Sequence, residues 1–281
     1  SMMLISKVTG PAQMLANSAL RFNSFNQSKL QVNRLLSQPS EREFSYQHHP
    51  LPSYAPSLKL EQVTLRYPKQ TRPALSGISF DIEAGEIVAI TGPSGSGKSA
   101  MLEVLSGLQL IQNGMVEVEG VNLVQYDPQL YRHWCFIRAA YPDLLTLSIR
   151  EWLNDGHSVS EQKMLSAIEA VGGGSWFSSL AEGLDTPISR IEPDSLFDML
   201  SGSVAQILID AKALVYDYHL YLLDNPVPDY HPRAKRIFGE FLLSKRGNAT
   251  VVFSSHDPDL IKLADKVVVS VSYTHLTLPT K

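Results

Sequence analysis

The strongest chemical signal in the sequence lies at Gly92–Ser99, which reads Gly-Pro-Ser-Gly-Ser-Gly-Lys-Ser. Three glycines let successive backbone N–H groups turn inward and form a nest for an anion. The pattern follows a short apolar run, Glu86–Thr91, and opens a helical run, Ser99–Leu108, as a phosphate-binding loop requires. The alternative is a glycine-rich turn that binds nothing. We predict a nucleotide-binding loop that contains Gly92, Pro93, Ser94, Gly95, Ser96, Gly97, Lys98, Ser99 and Ala100.

Two side chains at the end of this loop predict how a nucleotide and a metal ion would be held. Lys98 is expected to bridge the β- and γ-phosphates, and the hydroxyl of Ser99 is expected to ligate Mg²⁺. The helix that begins here adds its dipole, which favours negative charge at its N-terminus. The loop therefore predicts a site for the phosphates of a nucleotide together with Mg²⁺.

Composition and charge exclude several classes of protein. The chain has 281 residues, 44% of them apolar and 19% charged, which is ordinary for one large or two small folded domains and excludes wholesale disorder. A net charge of −4 gives no electrostatic support for nucleic-acid binding, so no nucleic-acid partner is expected. The single cysteine, Cys135, excludes an internal disulfide and fits a reducing compartment. The sequence has no run of about 18 apolar residues, so no complete membrane span is predicted.

Beyond the loop, the sequence alternates strand-like and helical segments. Residues 158–217 are predicted to be mostly helical. Strands are predicted at Leu58–Arg66, Ile78–Ile82, Glu86–Thr91, Leu220–Leu223, Thr250–Phe253 and Lys266–Val269. This order predicts an α/β domain with a mainly parallel sheet and an inserted helical region.

The two ends of the chain differ in character from this domain. Residues 1–40 contain no Asp or Glu and have apolar residues at helical spacing, which predicts either an amphipathic helix packed on the rest or the cytoplasmic end of a membrane-domain helix. Residues 41–57 are predicted to be a linker because they are rich in proline, serine and histidine. Residues 271–281 resemble the translation of a sequencing adapter, which predicts a tail without evolved function; the alternative is an ordinary final strand.

Residues 58–270 resemble the nucleotide-binding domain of an ABC transporter. The resemblance rests on the phosphate loop together with Arg66-Tyr67-Pro68, Leu220-Tyr221-Leu222-Leu223-Asp224 and Ser255-His256-Asp257. It implies a P-loop NTPase core of α/β class with a mainly parallel sheet, an antiparallel β subdomain and a helical subdomain at about residues 140–217. ATP and Mg²⁺ are the implied cofactors. Tyr67 would stack on adenine, Asp224 would hold Mg²⁺ opposite Ser99, and His256 would lie near the γ-phosphate.

Other segments resemble the exporter branch of the same family. Leu200-Ser201-Gly202-Ser203-Val204 occupies the position of the signature motif. The resemblance implies that Ser201 and Gly202 contact the γ-phosphate bound by a second nucleotide-binding domain in a head-to-tail dimer. Ser148–Glu151, Gly183–Thr186 and Gly10–Gln13 are similar to segments of type I secretion and peptide exporters, in which a membrane domain shares the chain.

The sequence departs from the family pattern mainly at groups that serve hydrolysis. Asn225 stands where the family has the catalytic glutamate, and Ala140 stands where it has the Q-loop glutamine. Three further departures are Pro193 after Glu192, Ser203-Val204 in the signature and Pro228–His231 in the D-loop. Asparagine accepts no proton at neutral pH. Hydrolysis is therefore expected to be weak or dependent on a partner subunit; the alternatives are a slow but real ATPase and a decayed gene.

These observations predict an ATP-binding subunit or domain of an ABC-type exporter at the cytoplasmic face of the inner (plasma) membrane. Its expected partners are the membrane domain of the exporter and a second nucleotide-binding domain. A heterodimer is favoured because a homodimer would lack the catalytic glutamate twice. The alternative function is that of a soluble ATP-binding regulator or scaffold without transport activity.

Overall fold

The computed structural model describes residues 22, 25–34, 49–138, 147–188, 203–227, 232–271 and 274–279. The chain forms two compact units, Ser1–Gln47 and His48–Lys281. In the first unit, residues 25–34 are helical. Among the helices of these described ranges, none is both long and apolar enough to cross a membrane. All of the strands and helices labelled below belong to the second unit.

An antiparallel sheet begins the second unit. Its four strands, in the spatial order β2-β1-β4-β5, are β1 (Leu58–Leu65), β2 (Leu75–Ile82), β4 (Asn113–Val118) and β5 (Val121–Asn122). Leu58, Leu60, Val63 and Leu65 of β1 point into the main apolar core, and polar residues alternate with them except at a register shift between Leu60 and Val63. Such alternation is typical of a sheet with one face buried.

A second, mainly parallel sheet forms the centre of the unit. Its spatial order is β10-β9-β3-β8-β7-β6, and its strands are β3 (Ile87–Thr91), β6 (Cys135–Arg138), β7 (Leu220–Leu223), β8 (Thr250–Ser254), β9 (Lys266–Val271) and β10 (Thr274–Pro279). Strands β7 and β8 are buried along their whole length, as expected for parallel strands covered on both faces. Only the pairing of β10 with β9 is antiparallel among these strands.

The helices connect and cover these strands. They are α1 (Lys98–Leu105), α2 (Pro128–Trp134), α3 (Ile149–Asn154), α4 (Glu161–Ala170), α5 (Gly174–Phe177), α6 (Ser203–Val215), α7 (Pro232–Lys245) and α8 (Pro258–Ile261). Short 3₁₀ turns lie at Leu123–Gln125 and Gly183–Asp185. Helices α3, α4 and α6 share a small apolar core of their own. This separate core is what makes the helical region a distinct layer.

The two exporter-like segments of the helical region meet in the structure. Ser148 caps α3 reciprocally with Glu151, since each side chain accepts the backbone N–H of the other residue. Arg150 then donates two hydrogen bonds to Asp185, at 2.7 and 3.2 Å. The second segment, Gly183–Thr186, is thereby joined to the first turn of α3.

The predicted fold class is confirmed: a P-loop α/β core carries an antiparallel sheet and a helical layer. Some predicted boundaries are wrong: β2 begins at Leu75 rather than at Ile78, β9 ends at Val271 rather than at Val269, and α1 ends at Leu105 rather than at Leu108. Gly107 has a φ of 71°, a left-handed conformation that terminates helices. Strand β10 falls within the predicted adapter-like tail. An open sheet edge accepts any strand-compatible segment, so the origin of this tail stays a prediction.

Candidate functional site

A cavity of about 610 Å³ lies where β3, β7 and β8 end. These three parallel strands are neighbours in the sheet, so their carboxyl ends meet at one edge, where α/β proteins bind ligands. The volume is within the range of about 300–1,000 Å³ that small-molecule sites occupy. Its lining combines the phosphate loop at Ser94–Ala100, the strand-end residues Asp224, Asn225 and Ser254–His256, and residues near Tyr67.

Two glycines of the loop are required by close backbone approaches. Gly97 has a φ of 97°, and a Cβ atom there would lie 2.5 Å from the carbonyl oxygen of Ala74. Gly92 has a φ of 146°, and a Cβ atom there would lie 2.0 Å from the carbonyl oxygen of Ser270. No side chain fits at either place, since such distances lie well inside van der Waals contact. The loop is therefore packed tightly between β2 and β9.

The polar groups of the loop point to an anion. The Nζ atom of Lys98 donates to the carbonyl oxygens of Gly92 and Pro93, at 2.8 and 2.9 Å. Burial lowers the pKa of Lys98, and the nearby carboxylate of Asp224 opposes that shift. The buried hydroxyl of Ser96 has no hydrogen-bond partner among the described residues. A buried orphan hydroxyl is costly unless a ligand satisfies it, which fits a phosphate oxygen in this cradle.

The carboxylate of Asp224 is held in place by a residue that no sequence motif indicated. Ser254, at the end of β8, donates from Oγ to Oδ1 of Asp224 at 2.6 Å. The same Oγ accepts the backbone N–H of Asn225 at 2.8 Å. Asp224 itself is only 9% exposed. The buried hydroxyl of Ser254 thus fixes both residues that follow β7. In the sequence, Ser254 is marked only as a polar residue at the end of an apolar strand.

Asn225 lies at the turn that follows β7 and lines the cavity. Its φ is 45°, in the left-handed region that asparagine tolerates better than most residues. Its side chain is neutral and provides no carboxylate here. The position predicted to hold a degenerate catalytic group is therefore at the cavity, with a backbone conformation suited to asparagine.

Tyr67 and His256, which are far apart in the sequence, both line the cavity. The hydroxyl of Tyr67 donates to Oε2 of Glu103 at 2.6 Å, and burial together with this hydrogen bond raises the pKa of Tyr67. His256 is exposed and precedes Asp257, whose side chain caps α8. Lys235 pairs with Asp257 at 2.9 Å, which ties this segment to α7.

The structure brings most of the predicted site residues to one cavity. Tyr67, Ser94–Ala100, Asp224, Asn225 and His256 all line it. Gly92 and Pro93 are not among the lining residues and instead hold the side chain of Lys98. The exposed residues Gln70 and Arg72 also line the cavity and were not predicted; Arg72 adds a cationic side chain to a site that suits an anion.

Several predicted residues lie outside the described part of the chain. They are Ser201 and Gly202 of the signature segment, and Ala140, Glu192, Pro193 and Pro228–His231 among the departures. Their roles remain predictions. Among the described residues, no group of three or more His, Cys, Asp or Glu side chains forms a metal cluster. A Mg²⁺ site built from one carboxylate, a serine hydroxyl and nucleotide phosphates needs no such cluster.

Comparisons with known proteins found a matching family model, similar sequences and a similar fold. A family model described as "ABC transporter" matches residues 75–228. The chain is 28% identical over 264 residues to the ABC-type transmembrane transporter verA of Clonostachys rogersoniana, covering 92% of this chain and 20% of that protein. It is 26% identical to the leukotoxin export ATP-binding protein LtxB of Aggregatibacter actinomycetemcomitans, covering 95% and 37%. It is 28% identical to the ATP-dependent lipid A-core flippase of Idiomarina loihiensis, covering 76% and 36%.

A solved structure agrees with the fold. The chain resembles a bacterial Atm1-family ABC exporter with ATP bound, with a TM-score of 0.75, at 20% identity, over 90% of this chain and 43% of that one. At this identity the likeness is one of fold alone. The chain spans less than half the length of each of these relatives.

Proposed function

Because this chain belongs to the ABC transporter family, we propose that it binds Mg²⁺–ATP and serves as the ATP-binding domain of an ABC-type exporter. One observation carries the proposal: the phosphate loop, Asp224 and Tyr67 line a single cavity at the end of the parallel sheet. A phosphate cradle, a carboxylate and an aromatic ring in one cavity match the three parts of the ligand, which are phosphates, Mg²⁺ and base.

The residues of this cavity fit the nucleotide group by group. Three features of the loop suit the phosphates. They are the tight turns at Gly92 and Gly97, the amine of Lys98 and the buried hydroxyl of Ser96, which has no hydrogen-bond partner among the described residues. Ser99 and Asp224 supply the oxygen ligands that Mg²⁺ prefers. When bound, Mg²⁺ would neutralise charge between the β- and γ-phosphates. The ring of Tyr67 provides a flat apolar surface for adenine.

Replacement of Ser254 by alanine tests whether Asp224 serves the metal. Loss of the hydroxyl that holds Oδ1 of Asp224 is expected to weaken Mg²⁺-dependent ATP binding by about tenfold, the lower end of what such supporting residues contribute to metal affinity. ATP binding in the presence of EDTA is expected to stay unchanged. Mg²⁺ titrations of ATP affinity measure both.

The neighbouring buried serine provides the matched control. Ser255→Ala removes a hydroxyl of the same cavity wall that accepts the N–H of Asp257, whereas the hydroxyl that bonds Asp224 is that of Ser254. We expect it to leave the Mg²⁺ dependence as it is in the native chain. An unaltered Mg²⁺ dependence in Ser254→Ala would show that Asp224 is not a metal ligand positioned by Ser254.

We propose that this site binds ATP and, by itself, hydrolyses it weakly or not at all. Asn225 replaces the residue that serves as general base in the family, and its amide can hydrogen-bond the attacking water but cannot take a proton from it. His256 lines the cavity and would lie near the γ-phosphate. Hydrolysis would therefore depend on a partner subunit, while binding would not.

The export role rests on the relatives and on the first residues of the chain. The relatives named above are transporters, a flippase and an export protein, which supports transport over the alternative of a soluble regulator. We propose that residues 1–40 are the cytoplasmic end of a membrane domain, 41–57 a linker and 58–270 the nucleotide-binding domain at the cytoplasmic face of the inner membrane. The second nucleotide-binding domain would come from a partner with its own glutamate, in a head-to-tail heterodimer.

Reading the gene upstream of the codon for Ser1 tests the export role. We expect an in-frame membrane domain with several spans there, because the basic residues 1–40 suit the cytoplasmic end of a span. A start codon close to Ser1 with no encoded span would contradict the export role and favour the regulator. Co-expression with a neighbouring half-transporter gene would then test the heterodimer by co-purification.

A further inference from the structure

The aromatic residue at the base end of the cavity is tied to the helix that starts at its phosphate end. Tyr67 donates from its hydroxyl to Oε2 of Glu103 at 2.6 Å, across 36 residues of sequence. Glu103 lies on α1, the helix whose first residue is Lys98. The contact is partly buried, and a short hydrogen bond to a carboxylate belongs to the stronger class of hydrogen bonds.

Other hydrogen bonds fix the backbone around Tyr67 but do not involve its side chain. The side chain of Gln112 accepts the backbone N–H of Arg66 and donates to its carbonyl oxygen. Both backbone polar groups of Arg66 are therefore hydrogen-bonded. The carbonyl oxygen of Tyr67 accepts the N–H of Gln70 at 3.2 Å. The ring packs against the edge of the main core with part of its surface open to the cavity. The hydrogen bond to Glu103 is thus the polar contact that sets the direction of the side chain.

We propose that Glu103 is a positioning residue for the nucleotide base: it holds the ring of Tyr67 at the cavity wall and thereby sets affinity for the base. This inference rests on the proposed binding of ATP. Glu103 does not line the cavity, so it acts through Tyr67 and not by contact with the nucleotide. A ring fixed in advance loses less conformational freedom when a base stacks on it.

The test compares two ligands that share phosphates and differ in the base. Binding of ATP and of inorganic tripolyphosphate, each with Mg²⁺, is measured by calorimetry on the full 281-residue chain. Glu103→Ala is expected to weaken ATP binding about fivefold, a part of what stacking on an aromatic ring contributes. Tripolyphosphate binding is expected to stay unchanged.

Three further variants distinguish loss of the Tyr67–Glu103 hydrogen bond from a structural effect on α1. Glu103→Gln keeps an oxygen that accepts from Tyr67 and is expected to retain most of the ATP affinity. Tyr67→Phe keeps the ring, loses the hydroxyl and is expected to match Glu103→Ala. The double variant is expected to bind ATP no more weakly than either single variant, because both remove the same contact.

The outcomes that overturn the inference are distinct from those that overturn ATP binding. If Glu103→Ala weakens ATP and tripolyphosphate equally, Glu103 supports the loop and not the base. If the native chain binds both ligands and Glu103→Ala alters the affinity for neither, the Tyr67–Glu103 hydrogen bond has no role in binding. A native chain that binds neither ligand overturns the proposed function, and this inference with it.

Discussion

Replacement of Asn225 by glutamate is expected to raise steady-state phosphate release from Mg²⁺–ATP by about 10²- to 10⁴-fold over the native chain, the contribution of a positioned general base. Asn225 lines the cavity directly after Asp224, so a carboxylate introduced there would face the same space as the phosphate loop. Binding of ATP is expected to change little, because the groups proposed to hold the nucleotide are untouched.

The control for this gain is Asn225→Gln. Glutamine has the length of glutamate but accepts no proton, and both lose the preference of asparagine for the left-handed backbone found here, where φ is 45°. Any strain is therefore shared, and only Asn225→Glu is expected to gain turnover. If the native chain already hydrolyses ATP at the rate of Asn225→Glu, another group activates the water and the site is not degenerate.

Replacement of Lys98 by alanine is expected to weaken ATP binding by about 10- to 100-fold, the range for loss of a hydrogen bond between charged groups. In the described residues its amine contacts only loop carbonyl oxygens, so its charge is available to phosphates. Burial lowers the pKa of Lys98 and Asp224 only partly offsets this shift, so an anion bound here would further stabilise the charged amine. Equilibrium titration with Mg²⁺–ATP measures the loss.

An exposed lysine elsewhere provides the comparison. Lys262 is 77% exposed and lies just after α8, so Lys262→Ala removes the same charge without touching the cavity. It is expected to bind ATP as the native chain does. Equal losses in Lys98→Ala and Lys262→Ala would indicate a non-specific effect of charge and would contradict the role assigned to Lys98.

The parts of the fold that sequence predicted are those with local signatures. Gly92–Ser99 combines backbone freedom, a lysine and a helix start within eight residues, so its conformation is largely set by its own sequence. Strand β7 was predicted with its observed bounds, because a short apolar run that ends in a carboxylate is typical of a buried parallel strand. The end of α1 was placed too late, since the apolar pattern continues beyond the helix while Gly107 stops it.

The contacts that sequence could not predict join distant segments. Ser254 reaches Asp224 only because β8 lies beside β7 in the sheet, a neighbourhood set by the whole fold. Glu103 reaches Tyr67 because α1 packs close to the end of β1. Neither residue belongs to a recognisable local pattern, and each looks like an ordinary polar residue in the sequence.

The central claim, that this site holds ATP and does not turn it over by itself, is tested most directly by identifying the bound nucleotide. The native chain, in excess over ATP labelled at the α-phosphate, is incubated with Mg²⁺, and the nucleotide that stays with the protein is separated and resolved into ATP and ADP. The account predicts retained nucleotide that remains ATP over many minutes. Retention of ADP, or no retention at all, would contradict it.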